Sequence, residues 1–304
     1  MFSNKSGVLA IVVAALLPTC FAGWLVWDSL RGPGGGDEPQ RVLPLPSVSA
    51  STSASTSTRT DDANGTAAAG TASARAALPL TGKVVVLDPG HNPTDHDHTA
   101  EINRLVDIGT ERKACDTTGT ATKAGYAEAA FTLDVVHRAR ALLTARGATV
   151  KLTHDTGDPA FGPCIDERAR IGNEAGADAA ISVHADGSAA GNRGFHVILP
   201  ASVHHGIADT RAIVAPSRRL GTAVKRHFAD ATGSAPANYL AGGTGLVTRS
   251  DLGGLNLTTV PKVFIECGNM RDPNDAAELT DPAWRQSAAE GIADGITAFL
   301  RGKT

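Results

Sequence analysis

The sequence predicts a single α/β domain with a mainly parallel, twisted sheet and helices on both faces. Two observations predict it. From residue 82 onward, short β-branched runs alternate with amphipathic stretches, the pattern of parallel strands joined by crossover helices. Polar groups follow the apolar runs, at Asp88-Pro89-Gly90-His91, at His184-Ala185-Asp186 and at Glu266. In open α/β sheets, chemistry collects at the carboxyl ends of the strands.

Taken in order, Lys83–Leu87 (KVVVL) reads as a buried strand. Glu128–Arg146 reads as a helix with Phe131, Val135, Ala139, Leu142 and Leu143 on one face and Gly147 as its stop. Thr149–Thr153 is a second strand and Glu167–Ala175 a short helix. Ala179–Val183 and Phe195–Leu199 are the third and fourth strands. Ser217–Phe228 is helical, with Leu220, Val224 and Phe228 aligned, and Val263–Glu266 is another strand. Asp281 followed by Pro282 starts a last helix that carries Trp284, Ile292, Ile296 and Leu300.

The first 80 residues have a different composition. Lys5 precedes an apolar run from Val8 to Val26, interrupted at Pro18, Thr19 and Cys20. A run of roughly 20 apolar residues is long enough to span a bilayer. Residues 1–31 therefore read as an uncleaved anchor or as a signal peptide cleaved near Cys20-Phe21-Ala22. Leu17-Pro18-Thr19-Cys20 faintly resembles a lipoprotein box, and a buried core helix is the plain alternative. Each export reading puts the rest of the chain outside the cytoplasm, secreted or held at the outer face of the membrane. Residues 32–80, which include VSASTSASTSTRT at 48–60, have too little apolar area to offset the entropy of ordering, and read as a linker. The domain is assigned to residues 81–304, as a monomer.

The net charge of −3 and an aromatic content of 4% give neither a basic field nor stacking surfaces, which excludes nucleic acid as a partner. Cys20 lies in the export segment, and Cys267 beside an apolar strand reads as a small buried thiol. Cys115 and Cys164 lie in loop-like sequence. They are free to pair in an oxidising compartment, but spacing alone does not decide it.

His91 and His184 each follow a strand, and equivalent strand ends lie close in space. Alone, each is an ordinary structural or solvated histidine. Glu128, in the first turn of its helix, has the helix dipole as sufficient reason for its place. Together, two histidines and one carboxylate are the ligand set of a catalytic zinc with one position open to water. Glu266 ends a strongly apolar strand, where a carboxylate needs a partner. A base beside a metal-bound water is such a role.

The segments VVVLDPGH (84–91), GYAEAAF (125–131), GPCIDERA (162–169), ISVHADG (181–187), RSDLGGLNL (249–257) and VFIECGNM (263–270) stand in this order along the chain. In them the sequence resembles the zinc-dependent N-acetylmuramoyl-L-alanine amidases in their compact actinobacterial form. The resemblance implies a peptidoglycan substrate, one zinc held by His91, Glu128 and His184, Glu266 as the catalytic carboxylate, and a Cys115–Cys164 disulfide. Asn92-Pro93 departs from the two glycines common after the first histidine, which puts the shape of that loop in question. His96 and His98 beside it read as a solvated pair. Asp88 is either a hydrogen-bond partner of a ligand histidine or the end of the strand, and Arg168 pairs or packs locally. The glycines of 249–257 shape a groove or simply make a turn. His137, His154, His196, His204, His205 and His227 read as surface or structural. A zinc peptidase acting on the stem peptide and a catalytically silent wall-binding module remain as alternatives, and four filled positions favour the enzyme.

Overall fold

Residues 77–303 are described by a computed structural model of the chain. The export segment expected over 1–31, and the linker expected over 32–80 except for its last four residues, lie outside them. Among the described residues no helix is long and apolar enough to cross a membrane.

The β-branched runs form the strands. In chain order the elements are β1 (Val84–Pro89), α1 (Thr99–Ile102), β2 (Leu105–Asp107), β3 (Arg112–Ala114), α2 (Glu128–Ala145), β4 (Thr149–Leu152), α3 (Ile165–Glu174), β5 (Ala179–Asp186) and β6 (His196–Pro200). There follow β7 (His204–His205), β8 (Ala208–Asp209), α4 (Val214–Thr232), β9 (Leu246–Arg249), α5 (Gly253–Asn256), β10 (Lys262–Asn269), α6 (Pro273–Thr280) and α7 (Pro282–Leu300). The main sheet has the order β4-β1-β5-β10-β6-β9, and β2-β3 and β7-β8 form two small antiparallel pairs.

Four neighbouring strands are parallel, and β6 runs antiparallel to β10 while β9 is parallel to β6. The reversal has a simple cause. Only residues 187–195 join β5 to β6, and a parallel return needs a crossover of about a dozen residues or more.

Side chains alternate between the two faces of the sheet with period two. Val85, Leu87, Ile181, Val183, Val197, Leu199, Val263 and Ile265 face one way, into a core closed by α2, α4 and α7. Phe131, Val135, Leu220, Val224, Phe228, Ile292 and Ile296 come down from those helices, each burial contributing roughly 1.5–3 kcal/mol. The alternate positions of the same strands carry Asp88, Ser182, His184, Lys262, Phe264, Glu266 and His196. On this side lie two smaller apolar clusters, around Val86 and Ala180 and around Val106, Ile108 and Ile165, and α3 packs on α5.

The helix expected over 217–228 is longer at both ends. Pro216 sits in its first turn, where the missing N–H costs nothing, and Gly233 at φ 70° closes it. Apart from β4, the elements of two to four residues, edge strand β9 among them, are too short to show a period and are not foreseen in the sequence. Helix α6 had a readable signal, Asp272-Pro273, the same pair that opens α7. Helices α4 and α7 cross closely where Gly291 and Gly295 face Phe228 and Val224. A Cβ on Gly295 would lie 2.6 Å from Val224 Cα. Gly295→Leu is therefore expected to lower unfolding free energy by about 1–3 kcal/mol or more, read as a fall in the urea midpoint; an unchanged midpoint would mean that the two backbones do not meet there.

Candidate metal centre

His91, Glu128 and His184 converge at the carboxyl edge of the sheet. Their nearest donor atoms all lie within 4.8 Å of one another. Glu128 is the first residue of α2 and is buried. Its Oε1 is 3.1 Å from His91 Nε2 and 3.0 Å from His184 Nδ1. Its Oε2 accepts the Thr120 N–H at 2.9 Å, and Oε1 also accepts the Ala185 N–H at 3.2 Å. His91 Nδ1 faces the Thr117 carbonyl at 2.8 Å. A carbonyl only accepts, so Nδ1 carries a proton, which leaves Nε2, the nitrogen that faces Glu128, as the one able to bind a cation. The His184 ring stacks on Phe264, with centroids 5.3 Å apart, and meets His91 edge-on at 5.0 Å.

Close approach of the backbone makes this convergence possible. A Cβ on Gly90 would fall 2.4 Å from the His184 ring, and one on Gly119 would fall within 3 Å of His91 and Glu128. His91 itself has φ 60°, a left-handed conformation that costs a non-glycine residue roughly 1–2 kcal/mol and is held by its surroundings.

Burial works against charge on His91, Glu128 and Glu266, and their neighbours decide the outcome for the first two. Against burial, Glu128 and Asp116 raise the pKa of His91 well above its ordinary value. Against burial, His91 and His184 hold the Glu128 carboxyl far below the usual range. Glu266 shifts the other way. Burial, then Glu128 and Asp186, push it well up, against the pull of His91 and Arg249. Glu266 pairs with His184 on β5 and with His196 on β6, and its Oε2 is buried with no hydrogen-bond partner. An ionised Glu128 with two imidazoles fits the donor chemistry of a divalent cation. The orphaned oxygen of Glu266 beside it fits a polar reactant that the protein does not itself supply.

Asp88 touches neither histidine. It is buried on the polar face, where it accepts bonds from Thr153 (2.7 Å), Ser182, Arg168 (2.9 Å) and Lys262 (3.0 Å). Arg168 pairs not locally but with Asp88 and Asp116, far off in sequence. Asp116 and Lys262 had drawn no attention in the sequence. Lys262 opens an apolar strand as a buried lysine, and that burial cost was the available signal. Tyr239, also missed, donates to Asp186 Oδ2 at 2.7 Å.

The loop after His91 is tied down through its departure from the glycine pair. Asn92 Nδ2 donates to the Pro159 and Gly162 carbonyls, and buried Asp95 accepts the Asn92 and Gly162 N–H groups. His96 pairs with Asp97, while half-buried His98 stacks on Phe161; neither joins the three donors. His154 and His196 are buried, and His196 is brought down to about 4, chiefly by burial. Cys115 and Cys164 form a disulfide, and Cys267 is a buried free thiol. Of the 249–257 segment, Asp251, Leu252, Gly253 and Gly254 line a cavity of about 300 Å³ that also reaches His91, His184 and Phe264.

Two imidazoles and a carboxylate at the strand ends of an α/β sheet, with a free carboxylate beside them, are the side-chain set of a metal-dependent hydrolase. Residues 85–298 match the family model described as N-acetylmuramoyl-L-alanine amidase, and the chain belongs to that family. It is 39% identical over 236 residues to the N-acetylmuramoyl-L-alanine amidase Rv3717 of Mycobacterium tuberculosis, covering 77% of this chain and 93% of that one. The crystal structure of the amidase Ami1 from Mycobacterium smegmatis superimposes with a TM-score of 0.67 at 40% identity, over 73% of this chain and 98% of the other. The apo form of Ami1 from Mycobacterium abscessus gives the same score and identity, over 73% and 100%.

Asp88 and Asp116 give the domain an acid limit. Burial opposes their ionisation, yet Lys262 and Arg168 hold Asp88 well below its ordinary value, and Arg168 and His91 bring Asp116 to about 2. A depressed folded-state pKa stabilises above the unfolded value, near ~4, and that stability is lost as pH falls toward the folded value. The metal-free chain is expected to lose near-UV circular dichroism between about pH 4 and about pH 2; a midpoint above about pH 5 would assign acid unfolding to other groups.

Proposed function

We propose that this chain is a zinc-dependent N-acetylmuramoyl-L-alanine amidase, hydrolysing the amide between the lactyl group of N-acetylmuramic acid and L-alanine of the peptidoglycan stem peptide. His91, Glu128 and His184 hold the zinc, and Glu266 is the catalytic carboxylate. The observation that carries this reading is the convergence of three donors beside an unpartnered carboxylate, in a chain of the amidase family.

Held by His91, Glu128 and His184, zinc would polarise the scissile carbonyl and would lower the pKa of the attacking water toward ~7. The remaining work falls to the side chains. Glu266 takes a proton from the attacking water as its oxygen bonds to the carbonyl carbon. As the C–N bond breaks, Glu266 returns that proton to the amine nitrogen, which leaves as the free N-terminus of L-alanine. Burial strengthens the hold of Glu266 on a proton, which suits the second transfer. A cation among His91, Glu128 and His184 would lower its pKa again and leave the carboxylate free to accept in the first. The Thr117 carbonyl keeps the His91 ring in the tautomer that donates through Nε2. The cavity bounded by Phe264, Leu252 and Gly254 receives the substrate next to the donors.

Residues 1–31 serve as the export signal or anchor, residues 32–80 as the tether, and residues 81–304 as the catalytic domain acting on the wall outside the cytoplasm. The apolar run at 8–26 and the Ser/Thr/Ala-rich stretch behind it support this assignment.

Glu266→Gln is expected to keep stoichiometric zinc by metal analysis and to lower turnover of purified peptidoglycan by about 10²–10⁴-fold. Wild-type turnover in that variant would remove Glu266 from the mechanism. His91→Ala and His184→Ala should lose zinc and activity together, so stoichiometric zinc in either would strike that residue from the ligand set. Mass spectrometry of the products separates the reactions: an amidase releases intact stem peptide and unsubstituted glycan, whereas cleavage within the stem would make the chain a peptidase.

A further inference from the structure

Arg168 is buried and touches none of the three donor atoms, yet its hydrogen bonds surround the residue that carries one of them. Its Nε donates to the Pro163 carbonyl at 2.7 Å, and Nη1 donates to Asp88 Oδ1 at 2.9 Å and to the Pro89 carbonyl at 2.6 Å. Nη2 donates to the His91 carbonyl at 3.2 Å and to Asp116 Oδ2 at 2.7 Å. The Pro89 and His91 carbonyls flank Gly90, at the turn where His91 takes its left-handed φ of 60°. A guanidinium offers donors in a fixed planar fork, so one rigid group grips both sides of a strained turn.

Asp116 continues the chain of contacts to the ring. Its Oδ1 accepts the Thr117 N–H at 2.7 Å and lies 3.6 Å from His91 Nδ1. The Thr117 carbonyl accepts the hydrogen bond from that same nitrogen at 2.8 Å. The two segments involved are joined covalently next to these residues. Cys115 precedes Asp116, Cys164 lies four positions before Arg168, and the two sulfurs are bonded. A buried guanidinium needs acceptors for its N–H groups, and two of those it finds are the carbonyls on either side of the turn that carries His91.

We propose that Arg168 and Asp116 are positioning residues for His91: Arg168 fixes the backbone turn, and Asp116, through Thr117, fixes the direction and tautomer of the ring, so that Nε2 is presented to the metal. This rests on the reading of His91 as a zinc ligand. Arg168→Lys keeps the charge but loses the fork. Asp116→Asn keeps the shape but turns an N–H₂ toward one of two donors, the Arg168 guanidinium or the Thr117 N–H, so that one of the two bonds is lost.

The test uses the full chain, stripped of metal, with zinc affinity measured by competition against a chromophoric chelator. The ¹⁵N shifts of the His91 ring, recorded at alkaline pH where the ring is neutral, report its tautomer in the metal-free state. We expect zinc binding in Arg168→Lys and Asp116→Asn to weaken about 10–100-fold, the usual effect of removing a partner behind a ligand. The His91 shifts should move from the pure Nδ1–H form toward a mixture in Asp116→Asn. Wild-type affinity and wild-type shifts in a folded Asp116→Asn chain would overturn the proposal, as would a folded Arg168→Lys chain with wild-type affinity. If Arg168→Lys does not fold, Asp116→Asn decides alone. If His91→Ala itself binds zinc like wild type, it is the ligand assignment that fails. If His91→Ala loses zinc while both other variants bind normally, the positioning role alone fails.

Discussion

The carboxylate of Asp88 sets the register of the central strands. It stands between Leu87 and Pro89 on β1, on the polar side of a sheet whose other side is the main apolar core. Thr153, Ser182, Arg168 and Lys262 converge on it from beyond β4, from β5, from α3 and from β10. A slip of one residue would turn the whole polar set into the core, with its charges unpaired. Replacing such a buried group by apolar residues is often no loss to stability, but leaving one member of it alone is costly. The network therefore acts mainly by excluding other pairings. It holds β1, β5 and β10 so that the ends of all three meet at the same edge.

The metal centre depends on that alignment. His184 and Glu266 are register partners on β5 and β10, and His91 follows β1 by a single turn. Glu128 comes from the first turn of a helix anchored in the opposite core, and the loop backbone comes close to it at Gly119, where a Cβ would not fit. The same strands thus serve stability at one set of positions and chemistry at the alternate set. Phe264 marks the transition, as an aromatic on the reactive face whose ring supports His184.

Much of this arrangement was legible in the sequence because it rests on period. The runs at 83–87, 179–183 and 263–266 showed their strands, and the polar residues just after them showed the reactive edge. Glu128 was weakly marked by position alone, and its place among the donors came through resemblance to the family. The partners of Asp88 were not legible, since Arg168 and Lys262 reach it across 80 and 174 positions of sequence. No local pattern encodes that distance. Hairpins of two or three residues per strand leave no period either, and the antiparallel turn of β6 was hidden in the length of one connection rather than in any residue.

The disulfide has a topological consequence for how the centre comes together. The bond between Cys115 and Cys164 closes a covalent ring that contains Glu128, whereas His91 precedes the ring and His184 follows it. A chain that has closed the ring without docking it against β1 and β5 owns one donor inside the loop and two on separate free arms. Such a species lacks the three-donor cluster, so tight capture of a cation reports that the last long-range docking step is complete. On the proposed ligand set, metal uptake therefore waits until all three pieces have met, whereas the bond between Cys115 and Cys164 needs only two segments of the chain.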